Sequence, residues 1–190
     1  DVSHNISPFN IVEAAYIVEN SYKNFPEGSI HIIGVDSEKT IEQSHLVIKL
    51  DNHFFICANN GIMSLLASKI NPEKIIEINI HNDKVTTFSV IDVFVKIAAH
   101  IYRGGSIDLV GNQVFKLKEL YNLNPILNEK SNEISGNVIY VDNYDNVVTN
   151  ISKKTFIEFG KSRSFEINAR NYIFKEIVSS YGNAIRFDIK

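Results

Sequence analysis

The chain has 190 residues, 44% hydrophobic and 22% charged, which is enough apolar material to bury a core in one large domain or two small ones. A net charge of −3 and an isoelectric point near 6.1 give no basic field, which argues against duplex nucleic acid or an anionic membrane surface as a partner. No apolar run approaches bilayer length, nothing at the N-terminus reads as a signal peptide, and the lone Cys57 sits in an apolar run suited to a reducing compartment, so a cytoplasmic location is expected.

In chain order, Asp1 to Asn10 reads as a strand end running into a helix, with Ser7 as N-cap and Pro8 in the first helical position. Ile11, Ala15, Val18 and Tyr22 recur at helical spacing, and Phe25-Pro26-Glu27-Gly28 stops that helix. Ile30 to Val35 is a β-branched run of the kind expected for a strand covered on both faces, ending at Asp36. This order predicts an α/β domain with a mostly parallel central sheet, in which ligands sit beyond the carboxyl ends of the strands and Asp36 is well placed.

Leu46 to Leu50 and His53 to Cys57 read as a hairpin joined by Asp51-Asn52. Ala58-Asn59-Asn60-Gly61 follows as a sharp turn bordering the same pocket, and a short apolar helix runs through Leu66. Ile76, Ile78 and Ile80 alternate with polar residues as in a strand with one wet face. Phe88 to Tyr102 is a second strong helix, with Val90, Phe94, Ile97 and Ile101 on one stripe and Arg103-Gly104-Gly105 as its terminator. The polar run Asn128 to Glu133 reads as a linker, so an α/β domain is assigned to 1–125, a linker to 126–133 and a small all-β, barrel-like domain to 134–190. The β domain should use 134–141, 147–151, 164–169 and 172–178, with one helix from Lys153 to Gly160. Because the sequence opens at Asp1 without Met and closes on Phe187-Asp188-Ile189-Lys190, parts of both domains are expected to lie outside it.

Ile139 to Ile151 is the most polar-rich connection in the chain. Asp142 to Asn146 supplies two carboxylates, two amides and a phenol between two β-type runs. Turn chemistry explains this composition, because Asp and Asn bond their own backbone and tolerate positive φ. A polar clamp explains it equally, with Asp142 meeting an ammonium or hydroxyl, Tyr144 stacking on a flat ring and Asn146 reading a heterocycle edge. A calcium loop fits worst, since the spacing matches no hand-type loop and the distal Glu is absent. The six histidines, His4, His31, His45, His53, His81 and His100, show no paired metal-ligand spacing.

Asp142, Tyr144, Asn146 and Thr149-Asn150-Ile151 resemble the Asp-x-Phe-Gly-Asn…Thr-Asn-Ile signature of the S-adenosyl-L-methionine (SAM) hydroxide adenosyltransferases, a family that also contains the SAM-dependent fluorinase and chlorinase. Further motifs fall in the family's order. Asp1-Val-Ser-His-Asn-Ile-Ser-Pro-Phe-Asn-Ile resembles its Asp-Ile-Ser-His…Pro-x-Asp-Ile approach to the first long helix, and Phe25-Pro26-x-Gly28-Ser-Ile-His-Ile its Phe-Pro-x-Gly-Thr-Val-His strand start. Ala58-Asn59-Asn60-Gly61-Ile62 resembles the Pro-Asn/Asp-Asn-Gly-Leu turn, and Thr87-Phe88 with Asp92 and Phe94 resembles Thr-Phe-His-Gly-Arg-Asp-x-Phe.

The resemblance implies displacement of methionine from the ribose 5′ carbon of SAM by water, giving adenosine, with SAM as substrate and no cofactor or metal. It also implies a homotrimer with sites between subunits. Hydrolytic members place an Asp, Arg and His around the water. Asp36 matches the Asp, Gln43 stands in the Arg place and Ser89 in the His place, so these are the catalytic candidates. Phe9, Asn59, Asn60, Asp142, Tyr144 and Asn146 match substrate-facing positions, with Phe9 packing on the nucleoside and Asp142 holding the methionine ammonium. The replaced Arg and His make a catalytically degenerate SAM- or adenosine-binding protein the alternative. A halogenase fits less well, because the fluorinase has Tyr where this chain has Asp36, and a carboxylate there would repel a halide.

Overall fold

The computed structural model describes residues 1–67, 70–80, 87–120 and 123–179; His81 and the closing stretch from 180 on lie outside these. The chain divides into two compact units, one formed by Asp1–Leu123 with Val138–Val148, the other by Asn124–Asn137 with the residues from Thr149 on.

Helix α1 (Ile11–Ser21) opens the first unit. Its N-cap is Asn10, not the expected Ser7: Asn10 Oδ1 accepts from the Glu13 amide at 3.1 Å, and Glu13 Oε2 accepts in return from Asn10 Nδ2 and the Ser7 amide. Phe9, at φ 61, turns the backbone out of the helical region and so delays the helix start. No strand precedes α1 among the described residues. The helix ends in a 3₁₀ turn at Tyr22–Asn24, where the buried Tyr22 donates its hydroxyl to Asp51 Oδ2 at 3.0 Å.

The central sheet is built from β1 (Ile30–Ile32), β2 (His45–Leu50), β3 (His53–Ala58), β4 (Lys74–Ile78) and β5 (Gly111–Gln113), in the order β1-β3-β2-β4-β5. It is mixed, which corrects the expectation of a mostly parallel sheet. Only β1 and β3 run parallel, while β2–β3, β2–β4 and β4–β5 are antiparallel. The cause is local: Asp51 and Asn52 both take positive φ, 51° and 60°, and close a two-residue hairpin that places two antiparallel strands at the sheet centre. The run Ile30 to Val35, expected to be covered on both faces, is a three-residue edge strand with Ile32 exposed.

Alternation along the central strands buries both faces of the sheet. Leu46, Ile48, Leu50, Phe55 and Cys57 face α1 and α2 (Ile62–Ala67), packing on Ala14, Ala15, Ile62 and Met63. Val47, Ile56, Ile76 and Ile78 face Val93, Phe94, Ile97 and Ile101 on the other side. These last four come from a π-helical turn, Val90–Phe94, that leads into α3 (Val95–Tyr102). Each fully buried large side chain here contributes roughly 1.5–3 kcal/mol through its removal from water.

Beyond the sheet, β6 (Ile126–Asn128) pairs with β7 (Glu133–Ser135), β8 (Val138–Val141) with β9 (Val147–Thr149), and β10 (Ile167–Ala169) with β11 (Tyr172–Phe174). Helix α4 (Lys153–Gly160) lies between the last two pairs in sequence, with Ser152 as its N-cap. The described residues form separate two-stranded sheets and no closed barrel, correcting the barrel-like expectation. Each strand is only three or four residues long and pairs with its sequence neighbour, so hydrogen bonding closes locally. Within the first unit, Tyr140 on β8 stacks on Tyr16 of α1 with ring centroids 4.9 Å apart.

Candidate active site

One end of the central sheet collects four of the polar residues singled out in the sequence. Because β1 and β3 are parallel, their carboxyl ends share that end, and the antiparallel β2 begins there, with His45 opposite Ala58. Asp36 follows β1, Asn59 and Asn60 follow β3, and Gln43 precedes β2. Asp36 is half-buried and takes φ 48, a left-handed conformation that costs a non-glycine residue energy unless its surroundings hold it.

The surroundings do hold it. Gln43 is buried and donates through Nε2 to the Asp36 carbonyl at 2.8 Å and to the Glu38 carbonyl at 3.0 Å. Asn60 is buried too, donating through Nδ2 to the carbonyls of Val35 at 3.1 Å and Asp36 at 3.2 Å. Its Oδ1 accepts from the Ile62 amide, which fixes the side-chain orientation. An amide has two N–H donors, so Gln43 and Asn60 each spend both on this loop. Asn59 serves the neighbouring backbone: its Oδ1 accepts from the Lys118 amide at 2.9 Å, and its own amide donates to the Ser44 carbonyl at 2.7 Å.

Ser89 is buried immediately before the π-helical turn. Its neighbour Val90 packs against Gly34, two residues before Asp36, where a Cβ would stand 3.1 Å from Val90 Cγ2. His45 joins the site although no sequence motif marks it. It is buried, its Nε2 bonds the Ser37 carbonyl at 3.0 Å, and its ring meets Phe94 edge-on with centroids 4.8 Å apart. Burial lowers the His45 pKa, the bond to Ser37 opposes that shift, and the Lys39 charge adds to it. The neutral ring with its proton on Nε2 is the form that donates to a carbonyl. Only its position at the strand start just after Gln43 could have signalled this role in the sequence.

The second cluster is the turn between β8 and β9. Asp142 Oδ1 accepts from the amides of Tyr144 and Asn146, each at 2.8 Å, and Oδ2 accepts from Asn146 Nδ2 at 2.7 Å. The Asn146 side chain is the main cause holding the Asp142 carboxyl below the ordinary carboxylate range. Asp145 adopts φ 62, the left-handed conformation expected of a residue in a glycine place. Tyr144 and Phe9 are exposed, at 87% and 77%, so both offer open aromatic faces. Asn150 of the Thr-Asn-Ile segment holds backbone: its Oδ1 accepts from the Asn137 amide at 2.8 Å.

Among the described residues, no group of three or more His, Cys, Asp or Glu side chains could hold a metal, and no helix is long and apolar enough to cross a membrane. A groove of about 410 Å3 lined by Lys49, Phe54, Glu73, Lys74 and Ser106 lies at the opposite end of the sheet from Asp36.

The unit belongs to the three-layer α/β class, in which ligands commonly sit beyond the carboxyl ends of parallel strands, and here acid and amide side chains gather at that end. Its particular kinship is specific. The SAM hydroxide adenosyltransferase N-terminal domain matches residues 1–111 and the C-terminal domain of the same family matches 136–186, so the chain belongs to that family and has its two-domain architecture. Over 155 residues it is 28% identical to the (R)-S-adenosyl-L-methionine hydrolase of Methanocaldococcus jannaschii, an alignment covering 80% of this chain and 54% of that protein. The chain thus spans about half the length of this curated relative. Its fold is similar to that of an uncharacterized conserved protein from Thermotoga maritima, with TM-score 0.82, 24% identity and coverage of 97% of this chain and 73% of that one. A conserved hypothetical protein from Thermus thermophilus is similar at TM-score 0.61 and 22% identity, over 79% and 58% of the two chains.

Proposed function

We propose that this chain forms part of a SAM-cleaving enzyme in which water displaces L-methionine from the ribose 5′ carbon and releases adenosine. A bond forms from the water oxygen to C5′, the C5′–sulfur bond breaks, methionine leaves as a neutral thioether, and the water proton passes to Asp36 or solvent. The sulfonium already activates the carbon, so the protein has mainly to place and partly desolvate the water in line with sulfur. The observation that carries this reading is the placement of Asp36 at the carboxyl end of β1 in a chain of this family. Asp36 is assigned to the water, with Ser89 beside it. Gln43 occupies the Arg place. Phe9, Tyr144 and Asn146 are assigned to the nucleoside, Asp142 to the methionine ammonium, and Asn59 and Asn60 to the pocket wall.

We also propose that subunits assemble as a homotrimer, that the division at 126–133 separates the two domains of the whole protein, and that the enzyme works in the cytoplasm without a cofactor. A second reading has a specific observation in its favour. Gln43 spends both amide hydrogens on its own loop and carries no charge, so it cannot replace an arginine beside the water. A protein that binds SAM without cleaving it would follow from that loss. Incubating full-length protein with SAM and separating nucleosides by mass distinguishes the two: adenosine supports hydrolysis, whereas intact SAM with a thermal shift supports binding alone.

A further inference from the structure

The loop after β1 presents four successive carbonyls, from Val35 to Glu38, and every one is taken up by a buried side chain. Asn60 holds Val35 and Asp36, Gln43 holds Asp36 and Glu38, and His45 holds Ser37. These three side chains come from two segments, Gln43 and His45 from the entry into β2 and Asn60 from the turn after β3, and Asn60, Gln43 and His45 are 4%, 8% and 2% exposed. An ordinary surface loop satisfies its carbonyls with water, so a run of four turned onto buried donors is an unusual arrangement. Its effect is to fix the backbone on both sides of Asp36, including the left-handed φ of 48 at Asp36 itself. With the main chain held from within, the half-buried Asp36 side chain is left to act elsewhere; among the described residues, no hydrogen bond or ion pair engages its carboxylate.

We infer that Gln43, His45 and Asn60 form a carbonyl cradle whose function is to position the Asp36 carboxylate, and that Gln43 serves the reaction through Asp36 without touching substrate. This inference rests on the proposed assignment of Asp36 to the water. It gives the replaced residue in the Arg place a different role, because Gln43, neutral, short and doubly hydrogen-bonded, trades a charge beside the water for rigidity of the acid. His45 becomes a third positioning residue. It is suited to that role because its buried neutral ring can donate from Nε2 while its edge-on contact with Phe94 fixes the ring.

The test is a kinetic cycle on the full-length protein with SAM, using Gln43→Met, which preserves shape and removes both donors, together with Asp36→Asn and the double variant. Gln43→Met should lower kcat about 10- to 100-fold with KM within about threefold, and should add nothing to the loss already caused by Asp36→Asn. Losses that multiply in the double variant, or an unchanged kcat in Gln43→Met, overturn the cradle while leaving the SAM-cleaving reading in place. A wild-type protein without turnover, or an Asp36→Asn variant as active as wild type, overturns the functional reading instead. An arm independent of turnover is amide hydrogen exchange over residues 37–43, which should quicken at least tenfold in Gln43→Met with other segments unchanged; unaltered exchange there overturns the cradle by itself. If Gln43→Met does not fold, the pair His45→Gln and His45→Met replaces it. The donor-retaining Gln should keep kcat within about threefold and Met should lose it, and equal behaviour of the two counts against the inference.

Discussion

Asn146 Nδ2 donates to Asp142 Oδ2 at 2.7 Å, while the Asn146 backbone amide donates to Asp142 Oδ1 at 2.8 Å, so one residue grips both oxygens of one carboxylate. With the Tyr144 amide also on Oδ1, the carboxylate is preorganised as an acceptor before any ligand arrives. Turn chemistry and ligand clamp are therefore compatible uses of the same group, since a carboxylate has about four lone-pair sites and the turn uses three. Replacing Asp142 with Ala removes both uses. SAM affinity of the full-length protein should fall about 10- to 100-fold, the range of a charge-assisted bond, measured by titration calorimetry. An unchanged affinity would remove the ammonium assignment.

The same grip has a signature in acid. The Asp142 pKa is lowered on folding, so the contribution of the turn is intact above the ordinary carboxylate range and is lost as pH falls through the lowered value. Amide NMR signals of Tyr144 and Asn146 should therefore hold steady through the usual carboxylate titration and move only at more acid pH.

How far the sequence could be read depends on whether a signal was local. Ile11, Ala15 and Val18 marked α1, Asp51-Asn52 marked a hairpin, and the Val90–Phe94–Ile97–Ile101 stripe marked the third helix, because periodicity and turn chemistry act within a few residues. Sheet order was not legible in the same way. The hairpin is plain in the sequence, yet its consequence, an antiparallel centre that leaves β1 at the edge, depends on which strands meet across the fold. Family motifs located Asp36, Gln43 and Asn60. They could not show that Gln43 and Asn60 converge on the Asp36 carbonyl, nor that His45 takes the neighbouring Ser37 carbonyl, since hydrogen bonds from side chains at 43, 45 and 60 to this loop's backbone leave no pattern in one sequence.

A histidine pair contributed by β1 and β3 gives a pH prediction. His31 Nε2 and His53 Nδ1 lie 3.1 Å apart, and His31 stacks on Phe55. Burial, reinforced by His53, lowers the His31 pKa to about 4. An unfolded histidine titrates near 6.5, so between these values the unfolded chain binds more protons than the folded one. Stability from this group is full above about pH 6.5 and drains away as pH falls toward 4, by about 1 kcal/mol after allowance for solvent screening. Urea titrations at pH 7 and 4.5 should show that slope flatten in His31→Phe.

Cys57 offers a probe of the core. Its side chain, on β3, is buried on the α1 side of the sheet, and burial pushes the thiol pKa up to about 12. A thiolate-directed reagent should leave the native protein unmodified at pH 8 and react stoichiometrically in denaturant. Rapid native labelling would contradict the burial.

Gly61 terminates the Asn59-Asn60 turn at φ 103, and a Cβ there would stand 2.5 Å from Leu120 Cγ. Gly61→Ala should destabilise the protein by roughly 1–3 kcal/mol through backbone strain and displacement of Leu120, read from chemical denaturation. Gly28→Ala also faces positive φ but meets no neighbouring atom within 4 Å, so its loss should be smaller.

The central claim is displacement at the ribose 5′ carbon by water, and the most direct measurement is mass spectrometry of nucleosides after full-length protein is incubated with SAM in 18O-labelled water, with and without chloride. The account predicts adenosine carrying the label at its 5′ oxygen, equimolar methionine, and no dependence on chloride. Intact SAM after prolonged incubation, or a chlorinated nucleoside in place of labelled adenosine, would contradict it.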